Sequence, residues 1–105
     1  MTFLLKQAPD LTAVFAASDE LAIGAISAAY QFGKKVPEDL SIIGYDNLSI
    51  AEMSIPPLTS VAQPLNDMGE KAASMVFEMI ESNKLAPSCI FPHKIIERKS
   101  VRSLE

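Results

Sequence analysis

The chain has 105 residues, 49% of them hydrophobic and 21% charged, a globular composition that excludes intrinsic disorder. Its formal net charge is -4, and Lys and Arg concentrate only between Lys94 and Arg102, so this segment has no field for gripping nucleic-acid phosphates. A single cysteine, Cys89, excludes an intrachain disulfide and a Cys-based zinc site, and no apolar run is long enough to span a membrane.

Phe3 to Ala8 reads as the tail of a helix stopped by Pro9. It leads straight into an apolar run of strand length, Thr12 to Ala17, and such a beginning points to a chain cut from something longer. Ser18 offers an N-cap, with Asp19 and Glu20 in the positive first turn. The helix that follows is expected from Asp19 to about Phe32. Gly33 stops it, and Lys34 and Lys35 sit at its negative end.

Val36 to Asp39 is a turn, and Leu40 to Gly44 is a second apolar strand that ends at Tyr45-Asp46-Asn47. A short helix is expected over Leu48 to Met53, an extended breaker at Ile55-Pro56-Pro57 and a third strand over Leu58 to Ala62. Pro64 can open a helix, which continues to about Asn83. Leu65, Met68, Ala72, Met75, Met79 and Ile80 form one stripe on it, with Asp67, Glu70, Lys71, Glu78 and Glu81 off the stripe. Cys89 to Glu97 reads as a final extended segment interrupted at Pro92. Continuous apolar strands alternating with helices indicate an α/β fold, a parallel sheet with helices flanking both faces.

Two acids stand directly after two predicted parallel strands, Asp19 and Asp46. In open α/β sheets, ligands bind beyond the carboxyl ends of the strands. Ser18, Asp19, Asp46 and Asn47 would share that rim, where carboxylates and amides can hydrogen-bond sugar hydroxyls or base edges. The same residues also suit a plain helix cap and a plain turn, and spacing alone leaves both readings open.

Leu21 to Phe32 contains no charged residue, which suits either a subunit interface or a helix buried in a larger domain. His93 is the only histidine and stands beside Pro92 on a segment not expected at the acidic rim, which disfavours a Ser-His-Asp arrangement and a His-based metal site. No G-x-x-x-x-G-K-[ST] or G-x-G-x-x-G loop is present, so no catalytic residue, metal or cofactor is expected.

Four segments carry a resemblance. Thr12 to Ala25 (TAVFAASDELAIGA) resembles a strand ending in a polar residue plus Asp, followed by a helix opening Leu/Met-Ala-x-Gly. Val36 to Asn47 (VPEDLSIIGYDN), Ile55 to Pro64 (IPPLTSVAQP) and Ile96 to Ser100 (IERKS) follow in matching order and spacing. Together they resemble the effector-binding core of the lactose/galactose-repressor (LacI/GalR) family of bacterial transcription regulators.

The resemblance implies a two-lobed, type I periplasmic-binding-protein-like domain of which this chain holds parts. Residues 1–62 would belong to the C-terminal lobe, 63–92 to the N-terminal lobe, and 93–105 would return. The DNA-binding head would lie outside the chain. Asp46 falls at the Asp that hydrogen-bonds effector hydroxyls, Ser18 where members often carry Asn, and Leu65 where some place an aromatic beside the ligand. Asp19 and Asn47 adjoin them. The counterpart of the helix from Leu21 lies at a dimer interface, which makes Leu21, Ala22, Ile23 and Ile26 candidate contacts.

The implied protein is a cytoplasmic, homodimeric repressor, not an enzyme. It would respond to a sugar or sugar phosphate and meet DNA only through its head. A secreted sugar-binding protein of the same fold is the alternative; a flavodoxin-like enzyme or phosphoacceptor using Asp19 and Asp46 is the weaker one.

Overall fold

The computed structural model describes residues 1–105. In chain order the elements are α1 (Thr2–Gln7), β1 (Ala13–Phe15), α2 (Asp19–Gln31), β2 (Ser41–Asp46), α3 (Ser49–Met53), β3 (Thr59–Ala62), α4 (Leu65–Ser82) and β4 (Lys94–Ile96). The chain divides into two compact units, Met1–Ala62 with Lys94–Glu105, and Gln63–His93.

The first unit is a four-stranded sheet in the order β1-β2-β3-β4. β1 to β3 are parallel, as alternating strands and helices require. β4 runs antiparallel to β3, pairing Ser60 with Ile96 and Ala62 with Lys94. That corrects the expectation of a wholly parallel sheet. The hydrophobic pattern of a short edge strand carries no direction, and an antiparallel edge on a parallel sheet is common.

Helix α2 packs on β2 through Ala22, Ala25, Ile26 and Ala29, all buried. Three alanines on this face let the helix lie close against Leu40, Ile42 and Leu58, which are fully buried in the same core. Its N-terminus is capped by Ser18, whose Oγ accepts from the Leu21 amide at 3.2 Å. Its C-terminus closes through Gly33 at φ +72, with the Lys34 amide donating back to the Ala29 carbonyl.

Ile42 and Gly44 of β2 face α2, whereas Ile43 and Tyr45 alternate to the other side. The strand register puts Phe15 beside Ile43, and Val61 between Tyr45 and Ile95, on that second side. There Phe15 is 62% and Ile95 59% exposed, and Phe15 meets Tyr45 edge to face. This face is exposed at its edges, whereas Thr59 is buried and Ile43, Tyr45 and Val61 are half-buried.

The second unit is α4 and the segment that follows it. The helix begins after Pro64 and ends at Asn83 in the left-handed region, φ 53. Its apolar stripe is only half-covered at Met68, Met75 and Met79, and no residue of the helix is buried.

Candidate ligand site at the carboxyl ends of the parallel strands

Because β1 and β2 are parallel neighbours, their carboxyl ends point the same way, and the chain leaves them at Ser18 and at Asp46-Asn47. Ser18, Asp46 and Asn47 are each half-buried there. The turn is an uncommon one. Asp46 has φ 99 and Asn47 φ 55, two successive non-glycine residues at positive φ. Asn tolerates the left-handed region better than most residues, but φ 99 lies outside its centre.

Hydrogen bonds hold this turn in place. The Asn47 amide donates to Ser60 Oγ at 3.1 Å, and the Leu48 amide to Asp19 Oδ2 at 2.7 Å. Ser60 Oγ in turn donates to Asp19 Oδ1 at 2.6 Å. Asp19 is fully buried, and both of its oxygens are occupied by these internal donors. Of the four rim residues read from the sequence, Asp19 is therefore turned inward beneath the rim, while Ser18, Asp46 and Asn47 remain at it. Capping statistics place an acid in the first turn of a helix without saying which side of the helix it faces. Here it faces the sheet.

Gly44 makes this burial possible. A Cβ at position 44 would lie 2.8 Å from Leu58 Cδ2, 3.3 Å from Asp19 Cα and within contact-breaking distance of Asp19 Oδ1. A glycine inside an apolar strand is the sequence signal for such a close approach.

Arg98 closes the turn from the other side. Its guanidinium donates to Asn47 Oδ1 and to the Leu58 carbonyl, each at 2.8 Å. The Arg98 amide donates to Thr59 Oγ1 at 2.9 Å, and the Thr59 amide to Ser100 Oγ at the same distance. The closing Arg-x-Ser segment is thus a clamp across β2 and β3, completed by Ser100 Oγ donating to the Ile42 carbonyl. Ser60 and Arg98 are polar residues of the site that spacing did not single out.

Leu65 belongs to the second unit, where it is 49% exposed and lines a shallow cavity of about 380 Å³ with Gln63, Pro64, Asn66 and Asp67. A cavity of about 450 Å³ lies in the first unit, between Ile43, Ile95, Arg98 and Val101. It sits on the second face of the sheet and includes none of Ser18, Asp46 or Asn47. The cavity and the polar groups gathered at the rim are therefore separate features of the first unit. No group of three or more His, Cys, Asp or Glu residues is placed to hold a metal ion, and no helix is long and apolar enough to cross a membrane.

The candidate interface residues also separate. Ala22 is fully buried and Ile26 4% exposed in the chain's own core, whereas Leu21 is 62% exposed and Ile23 half-buried. Of these four, only Leu21 and Ile23 present surface to solvent.

A mainly parallel α/β unit with polar residues gathered beyond its strand ends is the arrangement of open-sheet α/β ligand domains, of which the periplasmic-binding-protein-like domains are one class. The periplasmic binding protein-like domain family matches residues 2–101, and the chain belongs to that family. Within it, the chain is homologous to the effector-binding core of LacI-type transcription regulators. It is 41% identical over 102 residues to the HTH-type transcriptional repressor PurR of Escherichia coli O1:K1 / APEC, covering 96% of this chain and 30% of that protein. The regulator CelR in complex with cellobiose superposes with TM-score 0.87 at 38% identity, over 92% of this chain and 30% of that one. The lac repressor dimer bound to operator and the anti-inducer ONPF superposes with TM-score 0.88 at 25% identity, over 97% and 36%. The chain thus spans about a third of the length of the proteins it matches.

Proposed function

We propose that this chain is the part of a transcription regulator's effector core that presents Asp46, Asn47 and Ser18 to a small polyhydroxylated ligand, a sugar or sugar phosphate. The observation that carries the reading is the turn at Asp46-Asn47, held at positive φ at the carboxyl end of β2 with a buried hydrogen-bond system behind it. Backbone strain of this sort clusters at ligand sites, where surrounding structure over-determines it. The cellobiose named with CelR supports the ligand class. In this reading Met1–Ala62 and Lys94–Glu105 belong to the C-terminal lobe and Gln63–His93, with Leu65, to the N-terminal lobe.

The mechanism is a population shift. Ligand favours one lobe arrangement, and that arrangement sets the spacing of DNA-binding heads in a cytoplasmic homodimer. The chain's own net charge of -4 suits a part that senses and does not touch DNA.

The test is calorimetric titration of the longest protein its gene encodes with cellobiose, ribose, sugar phosphates and free nucleobases. Asp46→Asn retains tolerance of positive φ while removing the charge. It should weaken binding of the ligand that registers by about tenfold or more, since losing a charged hydrogen bond costs roughly 1.5–3 kcal/mol. Unchanged affinity would sink the assignment, and binding only of a nucleobase would replace the sugar with a base edge.

A further inference from the structure

We infer that Arg98 is a positioning residue for the rim, a group that, with the Ser60 and Asp19 bonds beneath, holds the Asp46-Asn47 turn in its left-handed form. Three observations converge. First, the turn strings together two positive-φ residues that carry side chains, a conformation that does not persist without outside support. Second, the backbone amides of Asn47 and Leu48 are held from beneath, by Ser60 Oγ at Asn47 and by Asp19 Oδ2 at Leu48, so the side chain of Asn47 is the part of the turn that Arg98 reaches. Third, the Asn47 side chain is tied by a single guanidinium, whose other nitrogen is anchored on the Leu58 carbonyl just before β3.

Arg98 is itself fixed. Its amide is bonded to Thr59 Oγ1, and its neighbour Lys99 donates to the Pro57 carbonyl at 2.9 Å. The guanidinium fork therefore spans from a rigid strand start to the strained turn. Its planar geometry fits both acceptors at once, which a lysine ammonium on a flexible stem does not reproduce. The segment that follows β4 thereby sets the conformation of residues far from it in sequence. The importance of this for binding rests on the rim being the ligand site; the conformational claim does not.

The experiment is site-resolved amide hydrogen exchange on the 105-residue chain, with no ligand added. Arg98→Ala is expected to speed exchange of the Asn47 and Leu48 amides by about tenfold, the loss of one charged hydrogen bond expressed as local opening. The Ala16 and Ser41 amides, bonded to the Ile43 and Thr12 carbonyls, report on the sheet and should change far less. Arg98→Lys should lie between the wild type and Arg98→Ala. Asn47→Gly removes the acceptor, and adding Arg98→Ala to it should speed Leu48 no further.

Equal acceleration at all four amides, or fully additive effects in the double variant, would overturn the inference. If Arg98→Ala does not fold, Asn47→Gly against Asn47→Asp decides. Asp keeps the acceptor oxygen and should exchange as the wild type does, Gly should exchange faster, and identical exchange in the two rejects the role. A failure of Asp46→Asn to weaken ligand binding would defeat the ligand reading and leave this result standing.

Discussion

Asp19 is fully buried at the positive end of α2, a carboxyl group taken out of water and matched by two donors. Its removal strands the Ser60 hydroxyl and the Leu48 amide together. Asp19→Ala is therefore expected to cost about 3 kcal/mol in urea unfolding, at the upper end for unsatisfied buried groups. Asp19→Asn, which retains one acceptor oxygen, should cost less. A loss below 1 kcal/mol in Asp19→Ala would mean water replaces both bonds.

Gly44 is the complementary case. Alanine there meets the Asp19 backbone and Leu58, so Gly44→Ala should destabilise by about 1–3 kcal/mol although it adds one methyl group. A stability equal to the wild type would show that α2 can slide outward. At this scale the cap, the turn and the acid pair were legible, because each has a residue preference with a local cause. The inward aim of Asp19 was not, since it depends on how α2 lies against a strand distant in sequence. The Arg98 to Asn47 bond was hidden for the same reason.

At the scale of elements, α2 shows how far a pattern reaches. The helix was legible from Ser18 to Gly33, since its cap and its stop are both local. The charge-free stretch inside it did not say which of its apolar residues face the core. Ala and Ile occur on both sides, so only packing separates buried Ile26 from Leu21 at 62% exposure. That separation changes what a substitution tests. Ile26→Asp puts an unpaired charge into the core and should unfold the chain, at a cost of several kcal/mol. Leu21→Asp leaves the core intact. If α2 pairs with a second copy, the folded Leu21→Asp variant should sediment as a smaller species than the wild type at the same micromolar concentration. Identical sedimentation for wild type, Leu21→Asp and Ile23→Asp would remove α2 as an interface. The exposed edges of the sheet at Phe15 and Ile95 would then be the surface to examine for any self-association that remained.

At the scale of the whole molecule, the α/β class and the order of its elements were legible in the residues, but the direction of the last strand was not. That direction has a consequence for how the chain is divided. Ala62 and Lys94 are register partners in the antiparallel β3–β4 pair, so the Gln63–His93 unit leaves and re-enters the first unit at adjacent positions. Such a junction is a hairpin with a long insertion at its tip. Insertions at such points are tolerated because the entropy of closing a loop grows only slowly with its length. The reverse operation should be tolerated too. Replacing residues 63–93 by Asn-Gly supplies the two-residue turn that a right-twisted antiparallel pair prefers. The shortened chain keeps Leu5, Ile26, Leu40, Ile42 and Leu58, the larger side chains of the core, and the Arg98 and Ser100 clamp. It is expected to unfold cooperatively in urea and to retain protection of the Leu48 amide. A non-cooperative transition, with the Leu48 amide exchanging as in an unfolded chain, would show that the first unit needs the second in order to fold.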